Sequence, residues 1–417
     1  MSKNAKHTST GIVILSLMLV LFIDGMGQGL IFPILVKAFL YKGSYHFLAG
    51  NSDSWNTFVY GMVLGSFFIA WFFGSLFLGD FSDSIGRKKG IIICLAGSLI
   101  GFILSAIAFP MHSLSMLLIG RLIDGFTAGS QPIAQAAIID IGSKKYKARN
   151  IGLILVAVSI GLVAGPIIGG FLSDSRLVSW FNLSTPFYFG AILSFINILL
   201  LFIIFRETRK ATKKFQFKWS KIINVFTSAV KDKAVFYLLC SLFFVQLAWA
   251  MYFVYLPAYL ANHFHQSGNA VAIFNALIGL GLATGLGISS ITHILTKYFS
   301  AKWLVAIGYG VLPIGIVVYY IFPFLSILWI SVLFIAAAAG FGYSVILSMF
   351  SNLVDSNRQG WIMGLSSSFI ILAFTVASFS SGVLGAISQQ IPLIIIICSG
   401  SIGCIFITLF RYRQVDN

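Results

Sequence analysis

The 417-residue chain carries 59% hydrophobic and only 9% charged side chains, with a mean hydropathy of +0.97, whereas a soluble domain carries roughly 25% charged residues. A water-soluble fold is excluded, and at about 20 apolar residues per bilayer crossing the length accommodates about a dozen spans. The formal charge of +16 does not point to nucleic acid, because the basic residues lie between hydrophobic segments instead of sharing one face.

In chain order, apolar runs separated by turn and charge signals predict helices near 11–38, 56–79, 90–110, 114–139, 149–172, 185–205, 234–261, 269–296, 302–323, 325–351, 359–387 and 391–411. The first run follows a short polar stretch, Met1 to Thr10, and lacks a small-residue cleavage site, so it is read as a retained membrane helix. Cys94, Cys240, Cys398 and Cys404 all fall within apolar runs, as buried thiols do and a disulfide framework does not. The longest polar interruption, 206–233, is rich in Lys and Arg and reads as a basic linker between an N-terminal six-helix bundle, 1–205, and a C-terminal one, 234–417. An even number of spans puts both termini on one side. Placing them in the cytoplasm leaves only Lys37, Lys42 and Arg176 outside and Arg121 within the membrane, which is the orientation that the excess of cytoplasmic Lys and Arg selects.

The halves carry a trace of repetition. Gly125-Phe126 precedes Asp140 by the spacing at which Gly340-Phe341 precedes Asp355, and Arg149 and Gly152 in one half correspond to Arg358 and Gly360 in the other. Parallel repeats related by an axis along the membrane normal leave such a pattern.

Several segments carry candidate chemistry. The first helix contains Asp24-Gly25-Met26-Gly27-Gln28-Gly29 followed by Leu30-Ile31-Phe32-Pro33. The loop after the second reads Gly79-Asp80-Phe81-Ser82-Asp83-Ser84-Ile85-Gly86-Arg87-Lys88-Lys89. It needs a tight turn at Gly86, an acid that accepts from a cation or a helix N-terminus, and a basic group that faces an acid. The fourth helix holds Gly120-Arg121-Leu122-Ile123-Asp124-Gly125, and the fifth holds Gly161, Gly165, Pro166, Gly169 and Gly170, a small-residue spacing that lets helix backbones approach closely. Arg206-Glu207-Thr208 closes the sixth helix, and Val354-Asp355-Ser356-Asn357-Arg358-Gln359-Gly360 follows the tenth.

Together these segments resemble the major facilitator superfamily, and within it the twelve-helix drug:proton antiporters of the tetracycline and multidrug exporter type. The resemblance covers the N-terminal half well and the C-terminal half thinly. It implies an all-α membrane protein of two pseudo-symmetric six-helix bundles, acting as a monomer in the bacterial inner membrane by alternating access. It also implies a cytoplasmic latch built on Gly79, Asp83, Gly86, Arg87, Lys88 and Asp140, although Phe81 and Ser84 stand where the family pattern has Leu and Arg. The glycine-proline pattern of the fifth helix resembles the antiporter signature associated with exporters, and a plain close-packing groove is the other reading. Thr284 stands where the tetracycline exporters place a His, which argues against a tetracycline–metal substrate.

Asp24, Arg121 and Asp124 are the charged residues deeply embedded in the predicted spans. A charge at the bilayer centre costs about 2.5–3.5 kcal/mol on the insertion scale, so each needs a partner, a watery cavity or neutralisation. Arg121 and Asp124 are three residues apart and can touch on one helix face. They are candidates for proton coupling together with Asp24, or form a static buried pair. Gln28, Gln131 and Gln135, with Gln246, Trp249 and Tyr252 of the seventh helix, offer the mixture of rings and amides that a permissive small-molecule cavity needs. His263 and His265 lack a third ligand in sequence, so no metal site is expected. The expected function is proton-driven export of a small amphipathic or cationic molecule such as a drug or siderophore, with no cofactor beyond the proton gradient. The alternative is a proton-coupled importer of a nutrient or metallophore. No nucleophile–base constellation points to an enzyme.

Overall fold

A computed structural model describes the chain apart from residues 1–2, 41–46, 48–51, 142–146, 206, 208–231, 355–357 and 411–417. The side chains of residues 3–11, 80, 131, 132, 136, 139–141, 147–153, 155, 293, 359 and 360 also lie outside the description. Most of the basic linker therefore falls outside it, as do the side chains of Gln131 and Asp140.

The described residues are helical and contain no strand. The helices are α1 (Lys3–Leu35, continued by a π turn at Val36–Leu40), α2 (Asp53–Ile85), α3 (Arg87–Ala108), α4 (Leu114–Thr127), α5 (Ser130–Ile141), α6 (Lys147–Leu172) and α7 (Thr185–Ile204). After the linker come α8 (Lys233–Phe264), α9 (Gly268–Ile288), α10 (Ala301–Ile321), α11 (Leu325–Asn352), α12 (Gln359–Ile387) and α13 (Ile391–Leu409). Ten of these are long and apolar enough to cross a membrane alone. The pair α4–α5 and helix α6 complete twelve spans, the all-α multi-pass architecture expected. Large apolar side chains such as Phe202, Ile203, Ile330 and Phe334 are exposed, as lipid-facing surfaces require.

The fourth span differs from its prediction. Instead of one helix over 114–139, α4 ends at Thr127, Ala128 and Gly129 form a turn, and α5 starts at Ser130. The N–H of Ala128 is shared between the carbonyls of Asp124 (2.9 Å) and Gly125 (3.2 Å), which tightens the last turn of α4. Pro132 has no N–H to continue a ladder across this point and is tolerated in the first turn of a new helix.

The chain divides into two compact units, Met1–Phe217 with Leu260–Ala276, and Lys218–Tyr259 with Leu277–Asn417. In the first, α2 meets α4 at glycines: a Cβ on Gly125 would strike the backbone of Phe67, and one on Gly74 that of Phe126. In the second, α9 meets α11 in the same manner, Gly340 lying against the backbone of Leu282 and Gly285 against that of Ala337. Gly125 and Gly340 are the residues that the sequence repeat pairs, so the repeat marks the same helix crossing in each half.

Candidate functional site

The first unit is organised by the contact of α1 with α6. Gly161, Gly165 and Gly169 recur every fourth residue on α6, and Cβ atoms there would strike the carbonyls of Phe22, Met26 and Leu30 on α1. From the other side, Gly25 lies against the Val158 carbonyl and Gly29 against the Pro166 ring. The expected glycine groove thus joins two backbones directly, with helix α6 continuing through Pro166 to Leu172. Gly170 faces elsewhere, toward Ala272 and Asn269.

This contact fixes the position of Asp24, next to Gly25. Its carboxylate is buried, 8% exposed, and its Oδ2 accepts a hydrogen bond of 2.6 Å from the Ser130 hydroxyl at the start of α5. On α4, Arg121 and Asp124 form the expected i,i+3 pair, Nη1 to Oδ2 at 3.1 Å, with both side chains buried. The guanidinium also sits 4.3 Å from the centre of the Phe67 ring, and its Nε has no hydrogen-bond partner within the protein. Helix α3 closes on this pair through Gly101, whose missing side chain makes room for Asp124 and for the Gly120 carbonyl. Asp24 and Asp124 lie within electrostatic reach of one another. Asp24 is thus held by a hydroxyl, whereas Asp124 has the Arg121 guanidinium as well as the Ser98 hydroxyl beside it. Sequence reasoning missed Ser130; Ser130 and Pro132 next to Ala128-Gly129 were the available signal for a helix start.

At the Gly86 turn, Arg87 pairs with Asp83 at 3.3 Å. Gly86 adopts φ +103°, a conformation that glycine reaches without the Cβ penalty. Against it lies Glu207. The Glu207 carboxylate accepts from the N–H of Arg87 (2.8 Å) and of Lys88 (3.1 Å) at the start of α3, the position where helix N–H groups lack internal partners. Lys88 reciprocates, its Nζ donating to the Phe202 carbonyl of α7 at 2.8 Å. Gly79 faces open space, and the Asp140 part of the predicted network lies outside the described side chains.

Toward the opposite end of α1, Lys37 Nζ donates to the Gly170 carbonyl (3.1 Å) and to Ser173 Oγ (2.9 Å). Asp174 beside it takes a bidentate contact from Arg176 and a 2.5 Å hydrogen bond from Asn269. The Arg176 contact is the main influence holding the Asp174 carboxyl well below the usual range. The contacts of Lys37 and of Asn269 were not legible in sequence, because they join residues far apart in the chain.

The remaining candidates divide between the units. Gln28 and Gln135 are half-buried in the first. In the second, Gln246, Trp249 and Tyr252 are buried on successive turns of α8. The Trp249 ring stacks on Tyr252 at 5.9 Å and on Phe253 at 6.4 Å. Thr284 is exposed and bonds its own helix carbonyl at Leu280, 2.8 Å.

Twelve apolar spans in two related halves, with acids and an arginine sequestered among them, define a polytopic membrane transporter. The Major Facilitator Superfamily model matches residues 17–378, and the chain belongs to that superfamily, whose members are transporters and not enzymes. It is 26% identical over 354 residues to the class C tetracycline resistance protein of Escherichia coli, covering 82% of each chain. It is 25% identical over 401 residues to the quinolone resistance protein NorA of Staphylococcus aureus strain COL, covering 94% of this chain and 95% of that one. Among solved structures, a bacterial homologue of the human lysosomal transporter Spinster shares its fold with a TM-score of 0.75 at 16% identity, over 100% of both chains. A D-xylose–proton symporter does so with 0.73 at 17%, over 97% of this chain and 98% of that one.

Proposed function

We propose that this protein exports a small amphipathic or cationic molecule across a bacterial inner membrane in exchange for protons, working as a monomer with both termini in the cytoplasm. The observation that carries the reading is the pairing of the acids: Asp24 is buried against a neutral hydroxyl while Arg121 is engaged by Asp124. An acid inside a membrane without a cation partner is costly as a carboxylate and inexpensive as the neutral acid, which suits a site that is alternately loaded with a proton and emptied. In this scheme a proton entering from outside neutralises Asp24 or Asp124. Arg121 then re-pairs and substrate is displaced outward. Release of the proton to the cytoplasm resets the carrier by rocking of the two six-helix halves, 1–205 and 234–417.

The Gly86 loop, with Asp83, Arg87, Lys88 and Asp140, serves as the cytoplasmic latch, and Glu207 strengthens it by holding the start of α3. Gln28 and Gln135 of the first unit, and Gln246, Trp249 and Tyr252 of the second, are each candidates for contact with substrate. The names of the relatives, resistance proteins for tetracycline and quinolone, support a drug-like substrate, and the α6 glycine pattern supports export. Proton-coupled import is the competing reading, since a fold shared with a D-xylose–proton symporter does not fix direction.

The test is flux in proteoliposomes with an imposed pH gradient, using ethidium and a fluoroquinolone as probes. Export predicts probe movement opposite to proton flow, abolished by Asp24→Asn with probe binding retained. Movement of probe together with protons overturns the antiport assignment.

A further inference from the structure

Resting on the reading of Asp24 as the proton site, we propose that Ser130 is its positioning residue: the hydroxyl at the α4–α5 break holds the Asp24 carboxylate and sets the pH at which transport responds. The break makes this possible. A continuous helix through 128–132 would carry Ser130 in mid-helix, where a serine hydroxyl ordinarily turns back to a carbonyl of its own helix, as Ser194, Ser366 and Ser378 do here. Because α4 stops at Thr127, Ser130 becomes the first residue of α5 and donates instead across to α1, 2.6 Å from Asp24 Oδ2. The carboxylate it holds lies at the start of a twelve-residue helix, where unpaired N–H groups favour negative charge. Both partners are buried, Ser130 being 1% exposed, so the bond is shielded from water.

The surroundings of Asp24 limit what else could tune it. Helix α4 brings Asp124, already paired with Arg121. Helix α3 brings the Cys94 thiol. Helix α6 presents Val158 and Gly161 at this level, and α7 presents the Asn197 amide, which lies against the α1 backbone at Ser16 and Val20; neither contributes a titratable group. Ser130 is thus the neutral donor bonded to the carboxylate itself. When a proton arrives, an O–H bond forms on Asp24 and the Ser130 proton stays on its own oxygen. The carboxylate no longer needs that donor, and the start of α5 loses its charged anchor on α1.

A hydroxyl that donates to a carboxylate favours the charged form, so its removal raises the proton affinity of Asp24. The experiment is the pH profile of ethidium transport in proteoliposomes for the parent, Ser130→Ala, Ser130→Thr and Asp24→Asn. Folding of each is checked by size-exclusion profile and by ethidium binding at alkaline pH. Ser130→Ala is expected to move the half-point upward by about 1 pH unit, and Ser130→Thr, which keeps the hydroxyl, to return it to the parent value. If Asp24→Asn flattens the profile while Ser130→Ala superposes on the parent, the positioning role is overturned and the proton site stands. If Asp24→Asn keeps the parental profile, the proton-site reading itself fails. Should Ser130→Ala not yield folded protein, Ser130→Gly supplies the same readout, and a profile unchanged from the parent overturns the proposal.

Discussion

The first and fifth spans of each half occupy corresponding places, yet they meet by opposite means. In the first unit α1 and α6 touch backbone to backbone, glycine against carbonyl, over Gly161, Gly165 and Gly169. In the second, α8 and α12 are joined by rings, Phe253 with Phe374 at 6.1 Å and Phe243 with Phe369 at 6.3 Å. Charge divides the same way. Among the described residues, the buried Asp24, Arg121 and Asp124 belong to the first unit, whereas the buried polar side chains of the second are uncharged. A backbone contact leaves no side chain free to rearrange, so it fixes the surroundings of an acid closely; a ring contact has rotamers and adjustable volume. The comparison teaches that one architecture, repeated, can carry a rigid seat for buried charge in one half and an adaptable aromatic wall in the other.

The largest expected effect breaks the charged side of that comparison. Asp124→Leu leaves the Arg121 guanidinium buried over the Phe67 ring without its carboxylate partner, and should cost about 3–5 kcal/mol of stability, read as a fall in unfolding temperature in detergent. The double substitution Arg121→Leu with Asp124→Leu should recover most of that loss, because replacing both members of a buried pair by apolar groups is close to neutral. It should not recover transport. Recovery of both would reduce the pair to a structural strut.

Next is the glycine contact. Gly165→Val places a branched side chain against the Met26 carbonyl and the Leu30 N–H, and overpacking of this kind costs about 1–3 kcal/mol. The matching change in the second unit, Phe374→Leu, should cost less than about 1.5 kcal/mol, since ring partners can repack. Equal losses at the two positions, measured by thermal unfolding, would remove the contrast. A smaller effect belongs to the Gly86 turn. Glu207→Gln keeps an acceptor for the N–H groups of Arg87 and Lys88 but removes its charge, and should cost roughly 0.3–1 kcal/mol, less at high salt.

Sequence carried the periodic features well and the crossings between distant residues poorly. Hydropathy located the spans because a bilayer demands runs of apolar residues, and the Arg121–Asp124 pair was legible because three residues separate its members. The α6 glycines announced a close approach without saying to what. That α1 receives them, that Ser130 reaches Asp24, and that Glu207 holds the start of α3 are contacts made by packing, between residues 106 or more positions apart, and no local spacing encodes them. The break in the fourth span was written locally, in Ala128-Gly129-Ser130-Gln131-Pro132, but the surrounding hydropathy outweighed it in the reading as one helix.

The smallest expected effect on stability tests the aromatic side. Tyr252 is fully buried and its hydroxyl has no hydrogen-bond partner within the protein, whereas the hydroxyls of Tyr259 and Tyr319 bond each other at 2.6 Å. Removing a satisfied buried hydroxyl loses a bond and leaves its partner unpaired; removing an unsatisfied one relieves a desolvation cost. Tyr319→Phe should therefore destabilise by about 1 kcal/mol, and Tyr252→Phe should leave stability unchanged or raise it slightly. If the Tyr252 hydroxyl contacts substrate, the same change lowers the affinity for ethidium or the fluoroquinolone without lowering the unfolding temperature. A variant that is as stable as the parent and binds both probes as tightly would take Tyr252 out of the substrate cavity and leave Trp249 and Gln246 as its candidates on α8.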